Sequence, residues 1–185
     1  MIVLETQSEK ILKDSLNYQL KQSNLIEFQK VSTPRYQLEP IDFYIHSLDG
    51  RTHCVEVKET GSTTSITPNR FNDVQWEIMT HPILNEPDAH TRSWILAYFF
   101  DGDRTKRSTS SYYEYYFIVP GIYADEDHGP PLSIEDLHQD ERATLIGEWR
   151  HGSYHGISED YGLSTKMNPT LGFSTLPLLG NNETS

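Results

Sequence analysis

The sequence predicts a mixed α/β fold in which one β-sheet is flanked by helices. Apolar residues recur at helical spacing within residues 3–22, and two long strand-forming runs, residues 93–100 and 112–119, lie in the middle of the chain. Between the helical region and these two runs, the stretch 40–60, PIDFYIHSLDGRTHCVEVKET, carries an Asp-Gly turn signal between two strand-forming halves. The expected order is therefore helix, hairpin, helix, strand, strand and short helix.

The three helices are predicted from apolar stripes and capping signals. The first lies within residues 3–22, where Ile11, Leu12, Leu16 and Leu20 form the stripe. For the second, Thr67 is the expected N-cap because a proline follows it. Its stripe is expected to end before Pro82 and to contain Phe71, Val74, Trp76, Ile78 and Met79. For the third, a short helix within residues 133–140, Ser133 is the expected cap, with Asp136 three residues on.

The two strand-forming runs and the C-terminal residues define the expected domain. The run SWILAYFF at 93–100 is apolar throughout, which predicts a central, buried strand. The aromatic-rich run 112–119 predicts a second strand. Residues 151–185 lack periodicity and are rich in Gly, Ser and Asn. One domain is therefore expected over residues 1–150, followed by an irregular C-terminal extension over 151–185.

Composition limits the class of protein. The chain has 185 residues, of which 36% are apolar, and its mean hydropathy is -0.60. It contains no apolar run long enough to span a bilayer, and its first residues lack the features of a signal peptide. A single cysteine excludes an internal disulfide and a cysteine-based zinc site. No membrane association and a cytoplasmic location are therefore expected.

The register of the hairpin decides whether three charged residues meet. With a two-residue loop at the Asp-Gly pair, Asp42 lies opposite Val57 and points away from the face that carries Glu56 and Lys58. With a three-residue loop closed by glycine in the left-handed region, Asp42 lies directly opposite Glu56, on the same face as Lys58. The sequence leaves both registers open.

In the second register the two faces of the hairpin differ in chemistry. Tyr44 and Cys54 continue the charged face, whereas an apolar face that needs a helix over it is formed by Phe43, Ile45, Val55 and Val57. Opposed carboxylates repel each other, and burial enlarges the repulsion. A divalent cation between the two carboxylates replaces their repulsion with a net attraction, because hard cations such as Mg²⁺ bind carboxylate oxygens. The charged face is therefore a candidate metal site.

The same stretch resembles the PD-(D/E)xK nuclease superfamily. Asp42, a hairpin and then Glu56-Val57-Lys58 match its motif, although Pro40 stands two residues before Asp42 instead of next to it. The resemblance covers roughly residues 5–100. It implies a restriction-endonuclease-like fold, with a mixed β-sheet flanked by helices.

The resemblance also implies roles for individual residues. Asp42 and Glu56 would bind Mg²⁺, or Mn²⁺ in its place, with the backbone carbonyl of Val57 and the carboxylate of Glu9 as further ligands. Lys58 would position or activate a metal-bound water. Gln75, on the helix after the hairpin, would orient Lys58 or the water. Catalytic roles are thus expected for Asp42, Glu56, Lys58 and Gln75.

The implied function is a metal-dependent endonuclease that hydrolyses phosphodiester bonds, with DNA as the expected substrate. A homodimer or a protein complex is compatible with this role. The net charge of -12 counts against it, because nucleic-acid-binding proteins usually carry a basic footprint. The alternative is a catalytically inactive module with the same fold, which serves interactions in a defence or mobile-element complex.

Overall fold

A computed structural model of the chain describes residues 30–32, 41–46, 52–61, 63–67, 70–86, 88–125, 127, 132–150, 153–156 and 164–165. Within these residues the fold is mixed α/β, as predicted. The predicted first helix lies outside the described residues, as does Glu9.

Eight of the described strands form one mixed sheet, in the order β1-β2-β3-β5-β6-β8-β9-β10. Only β3 and β5 pair in parallel, and every other described pair in this sheet is antiparallel. A further two-stranded sheet joins β4 to β7. The strands are β1 Lys30–Ser32, β2 Phe43–His46, β3 Thr52–Thr60, β4 Ser65–Ile66, β5 Thr91–Phe100, β6 Glu114–Pro120, β7 Leu132–Ser133, β8 Thr144–Arg150, β9 Ser153–Gly156 and β10 Ser164–Thr165.

The predicted central strand is confirmed. β5 lies between β3 and β6, and all residues from Ser93 to Phe99 are buried. A parallel pair needs a long crossover connection, and residues 61–90 supply it between β3 and β5. This crossover contains the helix that follows the hairpin, and it returns that helix to the sheet.

The described helices are short. They are α1 Asp73–Thr80, α2 Ile134–Gln139, and 3-10 helices at Pro82–Asn85, Arg104–Lys106 and Gly121–Ala124. The cap predicted for α2 is confirmed, because the Ser133 side chain accepts a hydrogen bond from the backbone N–H of Asp136. The cap predicted for α1 is wrong. Its N-cap is Asn72, not Thr67, because the Asn72 side chain binds the free N–H of Gln75.

The apolar stripe predicted for α1 is correct only in part. Met79 is fully buried and Phe71, just before the helix, is nearly so. Val74 and Trp76 are instead exposed, by 54% and 45%. The helix begins later than predicted, and Gln75 and Met79, one turn apart, face the sheet while Val74 and Trp76 lie at the sides.

Both faces of the central strands are buried, and α1 covers the face that carries the charged residues. Val55 and Val57 are buried on one face of β3. The core cluster that contains Met79 of α1 lies on the other face, which also carries Glu56. The buried residues of this core cluster are Ile41, Cys54, Ile66, Phe71, Met79, Ile95, Ala97, Phe99, Phe117, Val119, Tyr123, Ala124, Leu132 and Leu137. The helix after the hairpin therefore covers the charged face, not the Val55 face.

Part of the C-terminal segment is regular. β9 pairs with β8 and β10 pairs with β9, so both extend the main sheet. The prediction of an irregular segment is wrong for these two strands. The remainder of residues 151–185 lies outside the described residues, and the boundary at residue 150 stays a prediction.

Candidate active site

The pairing of β2 with β3 has the register that brings the charged residues together. Tyr44 lies opposite Cys54 and His46 lies opposite Thr52. Continued past the start of β2, the same register places Asp42 opposite Glu56, as the three-residue loop predicts. The register is therefore confirmed, although the loop itself, residues 47–51, lies outside the described residues.

Asp42 is held at the end of β2 by the backbone of β3. Its Oδ2 accepts a hydrogen bond of 2.8 Å from the N–H of Val57. Burial raises the pKa of the Asp42 carboxyl above its usual value, while this hydrogen bond and the charge of Lys58 act in the opposite direction. The bond orients the carboxylate toward β3, where Glu56 is its neighbour.

Glu56 is the most deeply buried charged group of the site, with a side chain only 2% exposed. Its Oε1 accepts a hydrogen bond of 2.8 Å from Nε2 of Gln75 and lies 2.9 Å from Nζ of Lys58. Its Oε2 is buried and has no hydrogen-bond donor within the described part of the chain. One carboxylate oxygen is thus fully engaged, and the other is available to a ligand.

Burial raises the pKa of both carboxyl groups of this pair. Burial, and then the negative charge of Asp42, raise the pKa of Glu56 to about 8, although the Lys58 ammonium acts against this. Two buried carboxylates in contact behave in this way because both cannot ionise without a cation to compensate.

Lys58 completes the site from the next inward-facing position of β3. Its Nζ donates a hydrogen bond of 3.1 Å to Oε1 of Gln75 and lies 4.9 Å from the centre of the Phe71 ring. The side chain is only 12% exposed. Lys58 is therefore a partly desolvated cation held between a carboxylate, an amide and an aromatic ring.

The structure brings together four of the predicted site residues: Asp42, Glu56, Lys58 and Gln75. The contact made by the backbone of Val57 is through its N–H, and a ligand role for its carbonyl stays a prediction. Among the described residues, no group of three or more His, Cys, Asp or Glu side chains is placed to hold a metal. The Asp42–Glu56 pair supplies two carboxylates.

Two contributors to the site were missed at the level of sequence. Asn72 caps α1 and holds Gln75, and Phe71 lies under the Lys58 ammonium. The spacing of Asn72 and Gln75 is that of a capping box, a signal that was present in the sequence. The proline after Thr67 was a competing signal for a cap five residues earlier.

Two other chemically reactive or charged groups of the described residues are engaged in packing. Cys54 is buried on the face of Glu56, and burial raises the pKa of its thiol to about 11, which disfavours the reactive thiolate. In the basic cluster 104–107, Arg107 lies over the Trp149 ring at 4.1 Å and forms an ion pair of 3.6 Å with the buried Glu114. Arg107 is only partly buried, with a side chain 23% exposed, and packs beside β6 and β8.

Comparison with known proteins assigns no function to this site. No family model matches the chain, and no curated protein matches it. No helix among the described residues is both long enough and apolar enough to cross a membrane.

Proposed function

We propose that the protein is a magnesium-dependent nuclease with a restriction-endonuclease-like fold, and that it hydrolyses phosphodiester bonds in DNA. One observation carries the proposal. Asp42 and Glu56 face each other across a strand pair, and Lys58 lies 2.9 Å from the same Glu56 carboxylate. Two adjacent carboxylates with a lysine beside them are suited to metal-assisted hydrolysis.

The residues of the site fit a divalent metal. Glu56 Oε2 lacks a hydrogen-bond donor among the described residues, and the pKa of Glu56 is raised by the Asp42 charge. Both features are relieved by a cation between the two carboxylates, and oxygen ligands of this kind suit Mg²⁺ and Mn²⁺. When bound, the metal would lower the pKa of a water ligand and neutralise charge on the phosphate.

Further ligands come from the predicted set. The N–H of Val57 is directed at Asp42. Since the N–H and C=O groups of one strand residue point to the same neighbouring strand, the Val57 carbonyl lies on the Asp42 side as well. This supports its proposed role as a backbone ligand. Glu9 is proposed as a third carboxylate.

The chain's own groups perform the remaining steps. Lys58 holds and orients the attacking water and offers positive charge to the phosphate oxygens. Gln75 accepts from Lys58 and donates to Glu56, so it fixes the distance between the ammonium and the carboxylate. Because the Lys58 side chain is only 12% exposed, its charge is weakly screened by water.

The cleavage test uses supercoiled plasmid DNA with Mg²⁺ or with EDTA. We expect nicking only with the metal, and a loss of at least about 100-fold in Asp42→Asn and Lys58→Ala, the size of effect that acid–base groups contribute. The matched controls are Asp88→Asn and Lys106→Ala, at exposed positions away from the site. Equal cleavage by the site variants and the controls would refute the assignment.

The alternative function is a non-catalytic interaction module, and the net charge of -12 favours it. Such a module would operate in a complex, as a homodimer or with another protein. Calorimetry separates the two functions. Absence of Mg²⁺ and Mn²⁺ binding at millimolar metal, in the wild type and in Asp42→Asn alike, would favour the module.

A further inference from the structure

The amide of Gln75 makes three hydrogen bonds that allow it one orientation. Its Oε1 accepts from Nζ of Lys58 at 3.1 Å and from the backbone N–H of Asn72 at 3.3 Å. Its Nε2 donates to Oε1 of Glu56 at 2.8 Å. A half-turn of the amide would place NH₂ against two donors and oxygen against a carboxylate, so the partners determine the orientation.

Asn72 forms hydrogen bonds with both the backbone and the side chain of Gln75. Its side chain accepts a hydrogen bond of 2.9 Å from the N–H of Gln75, while its own N–H donates to the Gln75 side chain. This is a reciprocal capping box, whose usual effect is limited to the end of the helix. Here the capping oxygen of Gln75 is also the acceptor for Lys58, so the cap and the site share one atom.

We propose that Asn72 is a positioning residue of the candidate active site. Its side chain fixes the backbone of Gln75, and its backbone N–H holds the Gln75 side chain in the conformation whose carbonyl accepts from Lys58. Asn72 acts through Gln75, because no hydrogen bond joins it to Lys58 or Glu56 within the described ranges. The effect on turnover rests on the proposed function, whereas the effect on the Gln75 amide rests on the hydrogen bonds alone.

The chain provides a matched control for the loss of a helix cap. Ser133 caps α2 in the same way, through a hydrogen bond of 3.2 Å from Asp136 N–H. Asn72→Ala and Ser133→Ala should each lower the folding equilibrium constant about fivefold, the usual effect of a lost cap. A purely structural role for Asn72 would make the two variants equivalent in every other measurement.

The first readout needs no activity. The side-chain NH₂ signals of Gln75, identified by their loss in Gln75→Glu, are followed by ¹⁵N NMR. Asn72→Ala removes the acceptor for the backbone N–H of Gln75, so we expect the NH₂ signals to shift and to exchange faster with water, because the backbone that carries this side chain is no longer fixed. Ser133→Ala should leave them unchanged, and Asn72→Ser, which keeps a capping oxygen, should restore them. Asn72→Gly also removes the side chain, but glycine is tolerated well at an N-cap, so this variant replaces Asn72→Ala in the experiment if Asn72→Ala folds poorly.

The second readout is turnover of plasmid DNA with Mg²⁺. Asn72→Ala should lower kcat about tenfold without changing KM, as expected for a misplaced catalytic group. It should add nothing in a Gln75→Ala background, and Ser133→Ala should have no effect. Unchanged Gln75 signals in both Asn72→Ala and Asn72→Gly would overturn the proposal. Changed signals in a protein that cuts no DNA would support the positioning role and reject the nuclease.

Discussion

Asp42 and Glu56 lie opposite each other across the β2–β3 pairing, and burial raises the pKa of both carboxyl groups. The pairing is stabilised on one side by the Val57 N–H and on the other by Lys58 and Gln75. A buried carboxylate pair of this kind destabilises the metal-free fold as it ionises. The resulting change in the stability of the folded protein can be measured with and without metal.

Without metal, stability should fall as the pH rises through the range in which the pair ionises. In the unfolded chain Glu56 has its ordinary pKa of 4.5, whereas in the folded protein burial and the Asp42 charge raise this pKa to about 8. The folded state binds more protons between these values, so the free energy of unfolding decreases as pH rises from 4.5 to 8. Urea unfolding of wild type and Glu56→Gln in EDTA measures this. The variant should lose less stability over that range, and parallel curves would contradict the prediction.

A divalent metal should reverse the destabilising effect of the Asp42–Glu56 pair on the folded protein. At a Mg²⁺ or Mn²⁺ concentration of 100 times the dissociation constant, binding stabilises the folded protein by about 2.7 kcal/mol. Asp42→Asn keeps an acceptor for the Val57 N–H but removes one negative charge, so the metal should stabilise it far less. Melting temperatures with and without metal test this, with Asp88→Asn as the control. An equal shift in Asp42→Asn would place the metal elsewhere.

Loss of the Lys58 charge should raise the pKa of Glu56 further. The ammonium, 2.9 Å from Oε1, is the main group that lowers this pKa. In Lys58→Met the carboxyl should therefore stay protonated to a higher pH than in the wild type, as measured by ¹³C NMR of the Glu56 side chain. Lys106→Met is the control. An unchanged titration in Lys58→Met would show that the ion pair does not persist in solution.

Gly121 should be intolerant of a side chain because the backbone of α1 lies against it. A Cβ at this position would lie 2.6 Å from the carbonyl oxygen of Met79 and would also clash with the Ser93 hydroxyl. Gly121→Ala should cost about 1–3 kcal/mol, as overpacked core positions do. Denaturant unfolding measures the loss. Adding Ser93→Ala removes the clash with the hydroxyl, so the double variant should lose less than the sum; full additivity would argue against this origin.

The Cys54 thiol should be unreactive in the folded protein. It is buried, and its pKa is raised to about 11, so little thiolate exists at pH 8. Labelling with a disulfide reagent should be slow in buffer and rapid in denaturant. Rapid labelling of the native protein would show that the core around Cys54 opens readily.

The local parts of the fold were predictable from short-range patterns. The apolar run at 93–100 became β5, and the Ser133 cap was found where Ser and Asp stand three residues apart. The start of α1 was misplaced because Thr67 and Asn72 both carry capping signals, and only the structure shows which one binds a free N–H. β8 was not predicted, because its partner β6 is distant in sequence, and β9 and β10 were not predicted because residues 151–185 lack apolar periodicity.

The sequence by itself determined which chemical groups were present and that Glu56 and Lys58 share one face of a strand, since side chains alternate at every residue. It also showed that Asp42 would join them in one of two registers. Only the tertiary structure decided between these registers, because a one-residue shift in pairing moves a whole strand to the other face. The contact of Gln75 with Lys58, 17 residues away, likewise required the crossover to return α1 onto the charged face. Packing of α1 against that face buries the carboxylates and gives Glu56 its raised pKa.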